Sequence, residues 1–219
     1  MTSRSWNDLW ADGKSREYWT DPDPTVVRLI PKLKEERIET ALDIGCGIGR
    51  HVVALATEGF ETHAIDSSLE ALEQCRTWLN ESQLSATVGM AEVKALPYPV
   101  ELCDFVLCWN VIYHSTRSGM IKALSEIERV LRPGGLLCLT LNSTRNRNCG
   151  LGTEVEPDTF NNPDKIDGQH LHHYSDEQDV CTLLSNFRIE SLEEAEQEYS
   201  GKLIPDSWHW TVVARRRHR

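Results

Sequence analysis

The chain has 219 residues, 40% hydrophobic and 26% charged, the balance of one folded domain rather than of a disordered or fibrous chain. With 34 aspartates and glutamates against 23 lysines and arginines the net charge is −11, and so acidic a surface repels a phosphate backbone, which argues against a nucleic-acid partner. No apolar run approaches the ~18 residues of a bilayer span, Met1–Asp8 has no signal-peptide core, and seven cysteines without a Cys-x-x-Cys pair suit packing in a reducing cytoplasm better than disulfides or zinc.

Trp6, Leu9 and Trp10, spaced i, i+3, i+4, predict a first helix. Asp21-Pro22-Asp23-Pro24 is turn material, and Val26, Leu29, Ile30 and Leu33 mark one face of a second helix over about 25–39. Ala41-Leu42-Asp43-Ile44 reads as a short buried strand, followed by a glycine-rich turn and a helix over about 49–58 that Gly59 closes. A second strand, 61–65, ends at Asp66, and Ser67 or Ser68 caps the helix that runs on to Asn80. Strands are expected near 86–89 and 105–109, then a helix over 120–131 ended by Arg132-Pro133-Gly134-Gly135, then a fifth strand over 136–141. Residues 142–173 read as loop. A helix over about 175–184 precedes two strands, 187–192 and 208–214, with no helix between them, which predicts an antiparallel closure at the sheet edge. The alternation implies an α/β fold, a single doubly wound, mostly parallel sheet with helices on both faces.

The segment with chemical content is Leu42-Asp43-Ile44-Gly45-Cys46-Gly47-Ile48-Gly49-Arg50-His51, where a strand turns into a helix. Glycines let the backbone turn tightly and approach a ligand, and the helix start offers N–H groups to it. A dinucleotide fingerprint requires G-x-G-x-x-G; here the third glycine arrives one residue early and Arg50 stands in its place. Gly13-Lys14-Ser15 has the end of a Walker loop, but Asp8 replaces its first glycine and no strand precedes it.

The pattern resembles that of the class I S-adenosylmethionine-dependent methyltransferases, by motif over 40–141 and by element order beyond. Four features carry the resemblance in order: D-x-G-x-G-x-G from Asp43 to Gly49; Asp66 ending the second strand; Glu92-Val93-Lys94-Ala95-Leu96-Pro97-Tyr98; and Leu131-Arg132-Pro133-Gly134-Gly135 before the fifth strand. The resemblance implies a seven-stranded sheet with an antiparallel last strand, S-adenosyl-L-methionine as cofactor and S-adenosyl-L-homocysteine as product. Asp66, with Ser67 beside it, would accept from the ribose hydroxyls. Glu92 would accept from the adenine amino group and the Val93 amide would meet the ring. The turn Gly45-Cys46-Gly47 would pass the methionine part, Asp43 would orient that turn or reach the amino group through water, and Asn110 and Val111 would flank the cofactor.

Tyr113 and His114 follow the fourth strand where the family faces the transferred methyl, and are the candidate catalytic residues; a base is needed for an alcohol or protonated amine and not for a thiolate or metalloid. Residues 1–39 are read as a helical lid bearing Trp6, Trp10, Tyr18 and Trp19, and 40–219 as the cofactor-binding domain. Within it 142–173, with Arg145, Arg147, Glu154, Phe160, His170, His172 and His173, is a substrate-side loop insertion. His170-x-His172-His173 lacks the spacing and cysteine partners of a metal site, so no metal is assigned. Trp208 and Trp210 share one strand face and are read as core. Arg215–Arg219 is read as a solvated terminus. The resulting expectation is methyl transfer to a small-molecule acceptor by a cytoplasmic monomer or homodimer without membrane or nucleic-acid partners. The alternatives are a protein or RNA methyltransferase, and a cofactor-binding protein without catalysis.

Overall fold

The computed structural model describes residues 6–11, 19–162, 170–199 and 202–218. Its elements in chain order are α1 (Trp6–Ala11), α2 (Pro24–Glu35), β1 (Thr40–Ile44), α3 (Arg50–Thr57), β2 (Glu61–Asp66), α4 (Leu69–Glu81), β3 (Thr87–Met90), β4 (Cys103–Cys108), α5 (Arg117–Val130), β5 (Leu131–Ser143), β6 (Thr153–Glu156), β7 (Thr159–Asn161), β8 (Leu171–Ser175), α6 (Glu177–Leu183), β9 (Phe187–Tyr199) and β10 (Lys202–Arg216).

Seven strands form the main sheet in the order β3-β2-β1-β4-β5-β10-β9. The first five are parallel; β10 runs antiparallel to both β5 and β9. β1 is buried along its whole length, as a central strand covered on both faces must be. Successive side chains divide between those faces. Leu42, Ile44, Val106, Cys108, Leu137 and Leu139 pack with α5 and α6, while Ala41, Phe105, Leu107, Leu136 and Cys138 pack with α2 and Leu55 of α3. The helices start on side-chain caps where the sequence allows: Asp23 before Pro24 in α2, Ser68 in α4, Thr116 in α5 and Asp176 in α6. Because β1, β2 and β4 are parallel and in register, their carboxyl ends share one rim, from which Gly45, Asp66 and Asn110 emerge.

Several expectations need correction. The 142–173 stretch is not simply loop: β6 and β7 form a short hairpin, β7 pairs antiparallel with β8, and β8 returns to the end of β5 through Asn142–Tyr174 and Ser143–Ser175. These strands are too short and polar to show a period of two. The last two strands are far longer than 187–192 and 208–214, because the glutamate-rich second half of β9 shows no apolar period yet still pairs with β10. Trp210 is buried and donates to the Ser175 carbonyl at 2.8 Å, but Trp208 lies under the Arg145 guanidinium at 3.5 Å rather than in the core. The basic tail is not simply solvated. Arg215 pairs with Glu190 and Glu36, and Arg216 pairs with Glu101 and bonds the Leu131 carbonyl.

His173 is a joint between elements. Its Nδ1 meets Thr159 Oγ1 at 2.7 Å and its Nε2 meets Asp179 Oδ2 at 3.0 Å, while Arg117 pairs with the other oxygen of Asp179. Five of the seven cysteines are buried and all are free. Among the described residues no helix is long and apolar enough to cross a membrane.

Candidate functional site

A cavity of about 160 Å³ opens at the rim formed by β1, β2 and β4. Its floor is the glycine turn. Gly45 has φ 69°, and a Cβ there would lie 2.3 Å from Val111 Cγ2, so only glycine lets β1 and the β4 exit approach this closely. The Gly45 and Cys46 amides donate to the Ile65 carbonyl, and the Gly47 amide donates to Asp66 Oδ2 at 2.9 Å. Asp66 Oδ1 also accepts from the Ser68 amide at 2.8 Å. Burial pushes the Asp66 carboxyl up from its ordinary value, and the amides of Ser68, Gly47 and Ser67 oppose the shift.

Beneath the turn, Asp43 is 1% exposed, and neither carboxylate oxygen has a hydrogen-bond partner among the described residues. Burial raises it to about 8, with Arg50 pulling down and Asp66 adding to the rise. His51, in the first turn of α3, is held well below its ordinary value by burial and by Arg50; as a neutral ring it accepts the Asp23 amide at Nε2, 3.1 Å.

On the opposite wall Asn110 leaves β4 in the left-handed region, φ 61°. Its amide donates to Thr140 Oγ1, and its Oδ1 accepts from the Thr140 hydroxyl and from Gln197 of β9, at 2.8–2.9 Å. His114, after a turn closed by its amide on the Val111 carbonyl, faces the same cavity.

The roof is α1. Trp10 lies against Gly47, 2.8 Å from where a Cβ would sit, and its carbonyl accepts from Gln74 at 3.1 Å. Asn7 accepts from the Ser68 hydroxyl at 2.6 Å. Trp6 stacks on His170, centroids 4.2 Å apart and planes 11° off parallel, with its edge to His114 at 4.9 Å. Trp19 lies 6.3 Å from Trp10 and under Arg50 at 4.9 Å. Tyr18 and the Gly13-Lys14-Ser15 remnant lie outside the described residues.

Of the residues singled out from sequence, Gly45, Asp66, Ser67, Glu92, Val93 and Asn110 line the cavity, as do Val111 and His114. Asp43, Cys46, Gly47 and Tyr113 do not. Asp43 is below the turn, Gly47 is covered by Trp10, Cys46 packs among Val52, Leu72 and Cys75, and Tyr113 is buried behind His114, their rings 4.5 Å apart. The missed lining residues include Lys94, Ser115 and Gly119. A glycine in the first turn of an otherwise ordinary helix was the available signal: a Cβ at Gly119 would lie 2.1 Å from Ser115 Oγ and 3.2 Å from Lys94 Nζ.

This donor set fits S-adenosylmethionine. A buried carboxylate with acceptor capacity to spare, Asp66, suits vicinal hydroxyls; a second, unpartnered one, Asp43, lies under a glycine turn that leaves no room for a Cβ at Gly45.

Residues 41–135 match the family described as a methyltransferase domain. The chain is 33% identical over 112 residues to the malonyl-(acyl-carrier protein) O-methyltransferase of Salmonella typhimurium, covering 51% of this chain and 42% of that one. It is 24% identical over 237 residues to the chloroplastic tocopherol O-methyltransferase of Arabidopsis thaliana, covering 98% of this chain and 66% of that one. The aligned region thus spans less than two thirds of either relative. Among solved structures, a SAM-dependent methyltransferase from Methanosarcina mazei superposes with a TM-score of 0.74 at 21% identity, over 91% of this chain and all of that one.

Proposed function

We propose that this chain, whose residues 41–135 match a methyltransferase-domain family, is an enzyme that moves a methyl group from S-adenosylmethionine to a small-molecule acceptor. The observation that carries the reading is one cavity into which the glycine turn, Asp66, Glu92 and His114 all face. A relative named as a tocopherol O-methyltransferase supports the choice of acceptor size.

When bound, the cofactor supplies a methyl on a positively charged sulfur: the acceptor's lone pair forms the new bond to carbon, the carbon–sulfur pair stays on sulfur, and the acceptor's proton is released. The chain's own part is alignment and exclusion of water. Asp66 would accept from the ribose and Glu92 from the adenine amine with Val93 beside it, and Gly45 would leave room for the amino-acid end above Asp43. Asn110, held left-handed by Thr140 and Gln197, and Val111 set the wall beside the reacting atoms. His114 takes the acceptor's proton, with Tyr113 packed behind it. The α1 roof, with Trp6 and Trp10, excludes solvent.

The visible support for a protein or RNA substrate is the basic tail Arg215–Arg219, and there Arg215 and Arg216 are engaged by Glu190, Glu36 and Glu101, which favours the small-molecule reading. The test is incubation with methyl-labelled S-adenosylmethionine and a cell extract, resolving label in small molecules, volatiles, protein and RNA. Label in a low-mass product is expected. Label in protein or RNA would replace the acceptor class, and cofactor binding with no label anywhere would favour a non-catalytic binder.

A further inference from the structure

Among the described residues that line the cavity, Lys94 is the one lysine or arginine. It is exposed, and no carboxylate among the described residues pairs with it, whereas Lys32 and Lys34 are each held by a glutamate. Its ammonium comes near the Ser115 side chain over Gly119, the third residue of α5. A Cβ at Gly119 would lie 3.2 Å from Lys94 Nζ and 2.1 Å from Ser115 Oγ. Glycine is a poorer helix residue than alanine; here it clears the space in which the two side chains converge. The start of α5 is itself committed, since the Arg117 amide donates to Glu156 and the Gly119 amide to Thr116 Oγ1. The donor group is therefore the pair of side chains and not the helix end. Ser115 directly follows His114, and both line the cavity, so these donors stand at the same end as the ring assigned to the acceptor's proton.

Resting on the function proposed above, we infer that the methyl acceptor carries a carboxylate, which Lys94 and Ser115 hold over Gly119 while the group to be methylated lies beside His114. The cofactor does not answer the Lys94 charge. Its adenosine part has no anion, and its own carboxylate belongs to the amino-acid end at Gly45. Its sulfonium and the Lys94 ammonium repel each other within one cavity, a cost that an anion on the acceptor offsets. Asp66 and Glu92 line the same cavity and repel an anion, so an acidic acceptor needs a cation there, and Lys94 supplies it. An ammonium and a hydroxyl, both able to donate, suit the two oxygens of a carboxylate in charge-assisted bonds. An amine or a neutral alcohol leaves the ammonium unanswered.

The full-length protein would be incubated with methyl-labelled S-adenosylmethionine and cell extract, and the low-mass label separated on an anion exchanger. Cofactor affinity is measured separately by calorimetry, so that failure of the cofactor reading is seen on its own. Two acid–amide pairs, 4-hydroxybenzoate with 4-hydroxybenzamide and lactate with lactamide, are titrated into the protein with and without S-adenosylhomocysteine, so the carboxylate seat is read even where no methyl is transferred. Lys94 is exposed, so its variants keep the fold. Expected are most of the low-mass label in retained anions, a loss of that label of at least tenfold in Lys94→Met, partial recovery in Lys94→Arg, and cofactor affinity within about twofold of the parent. Most of the label in unretained products, a Lys94→Met protein that labels like the parent, or a tenfold loss of cofactor affinity in Lys94→Met overturns the inference. Where no low-mass label forms, the probes decide. An acid that binds at least tenfold more tightly than its amide, a preference that Lys94→Met removes, supports the seat; no such preference in either pair, or one that survives in Lys94→Met, overturns it.

Discussion

The Gly47 amide donates to Asp66 Oδ2 at 2.9 Å, a side-chain bond that joins the glycine turn to the end of β2 beside the two amides on the Ile65 carbonyl. Asp66 therefore both shapes the turn and faces the ligand. Asp66→Ala is expected to weaken S-adenosylmethionine binding by about 1–3 kcal/mol through lost charge-assisted hydrogen bonds, and to lower Tm because the Gly47 and Ser68 amides lose their acceptor. Calorimetry and thermal melts on the same variant separate the two effects; unchanged affinity in a folded protein would remove Asp66 from the ribose site.

Asp43 should make the protein less stable as pH rises. Its folded value, about 8, lies above the 3.8 of an exposed aspartate, so the folded state holds the proton more tightly and stability falls between those limits. An asparagine side chain imitates the protonated form. Asp43→Asn is therefore expected to stabilise by on the order of a few kcal/mol at pH 8 and by little near pH 4, while weakening cofactor binding through loss of the ionisable partner for its ammonium. For the parent, affinity should rise with pH toward 8. Denaturant titrations and calorimetry across pH 4–9 read both trends.

Two glycines with similar backbones should respond differently to alanine. Gly45 (φ 69°) has Val111 at 2.3 Å from the added carbon, whereas Gly59 (φ 90°) has nothing within 4 Å. Gly59→Ala bears only left-handed strain, about 1 kcal/mol. Gly45→Ala must also push the turn from Val111, and is expected to lose several kcal/mol or the cavity's shape. Thermal melts compared with cofactor titration decide.

The Asp179 joint should fail in acid. Burial pushes its carboxyl up, but His173, Arg117 and Ser175 outweigh that and hold it at about 2. A depressed value means stability that is complete above 3.8 and lost as pH falls toward 2. Asp179→Asn should destabilise by about 1–2 kcal/mol at pH 7, allowing for solvent screening, with the difference vanishing near pH 2. A pH series of urea midpoints measures it.

The parallel half of the fold is legible because buried strands such as Ala41–Ile44, interrupted by Asp43 alone, and Phe105–Cys108 are apolar runs, each bounded by turn residues or a capped helix. The second half is harder to read. β6 and β7 rest on pairing with each other, and β7 on pairing with β8, rather than on their own pattern, and β9 presents glutamates where a buried strand would show apolar residues. The site divides similarly. Gly45 and Asp66 stand at motif positions, whereas Lys94, Ser115 and Gly119 meet through tertiary packing of α5. Gln197 reaches Asn110 across 87 residues, a bond that no local spacing announces.

The sheet ends at β9, which among the described residues pairs only with β10, leaving the other row of amides and carbonyls exposed. Such an edge is a template on which a second copy can add a strand. Glu190, Glu193, Glu194, Glu196 and Glu198 lie along these thirteen residues; Glu190 and Glu194 are held by Arg215 and Arg145, so two copies meeting edge to edge would bring Glu193, Glu196 and Glu198 of each together. These glutamates thus work as a guard against fibrillar stacking, one that acid would dismantle.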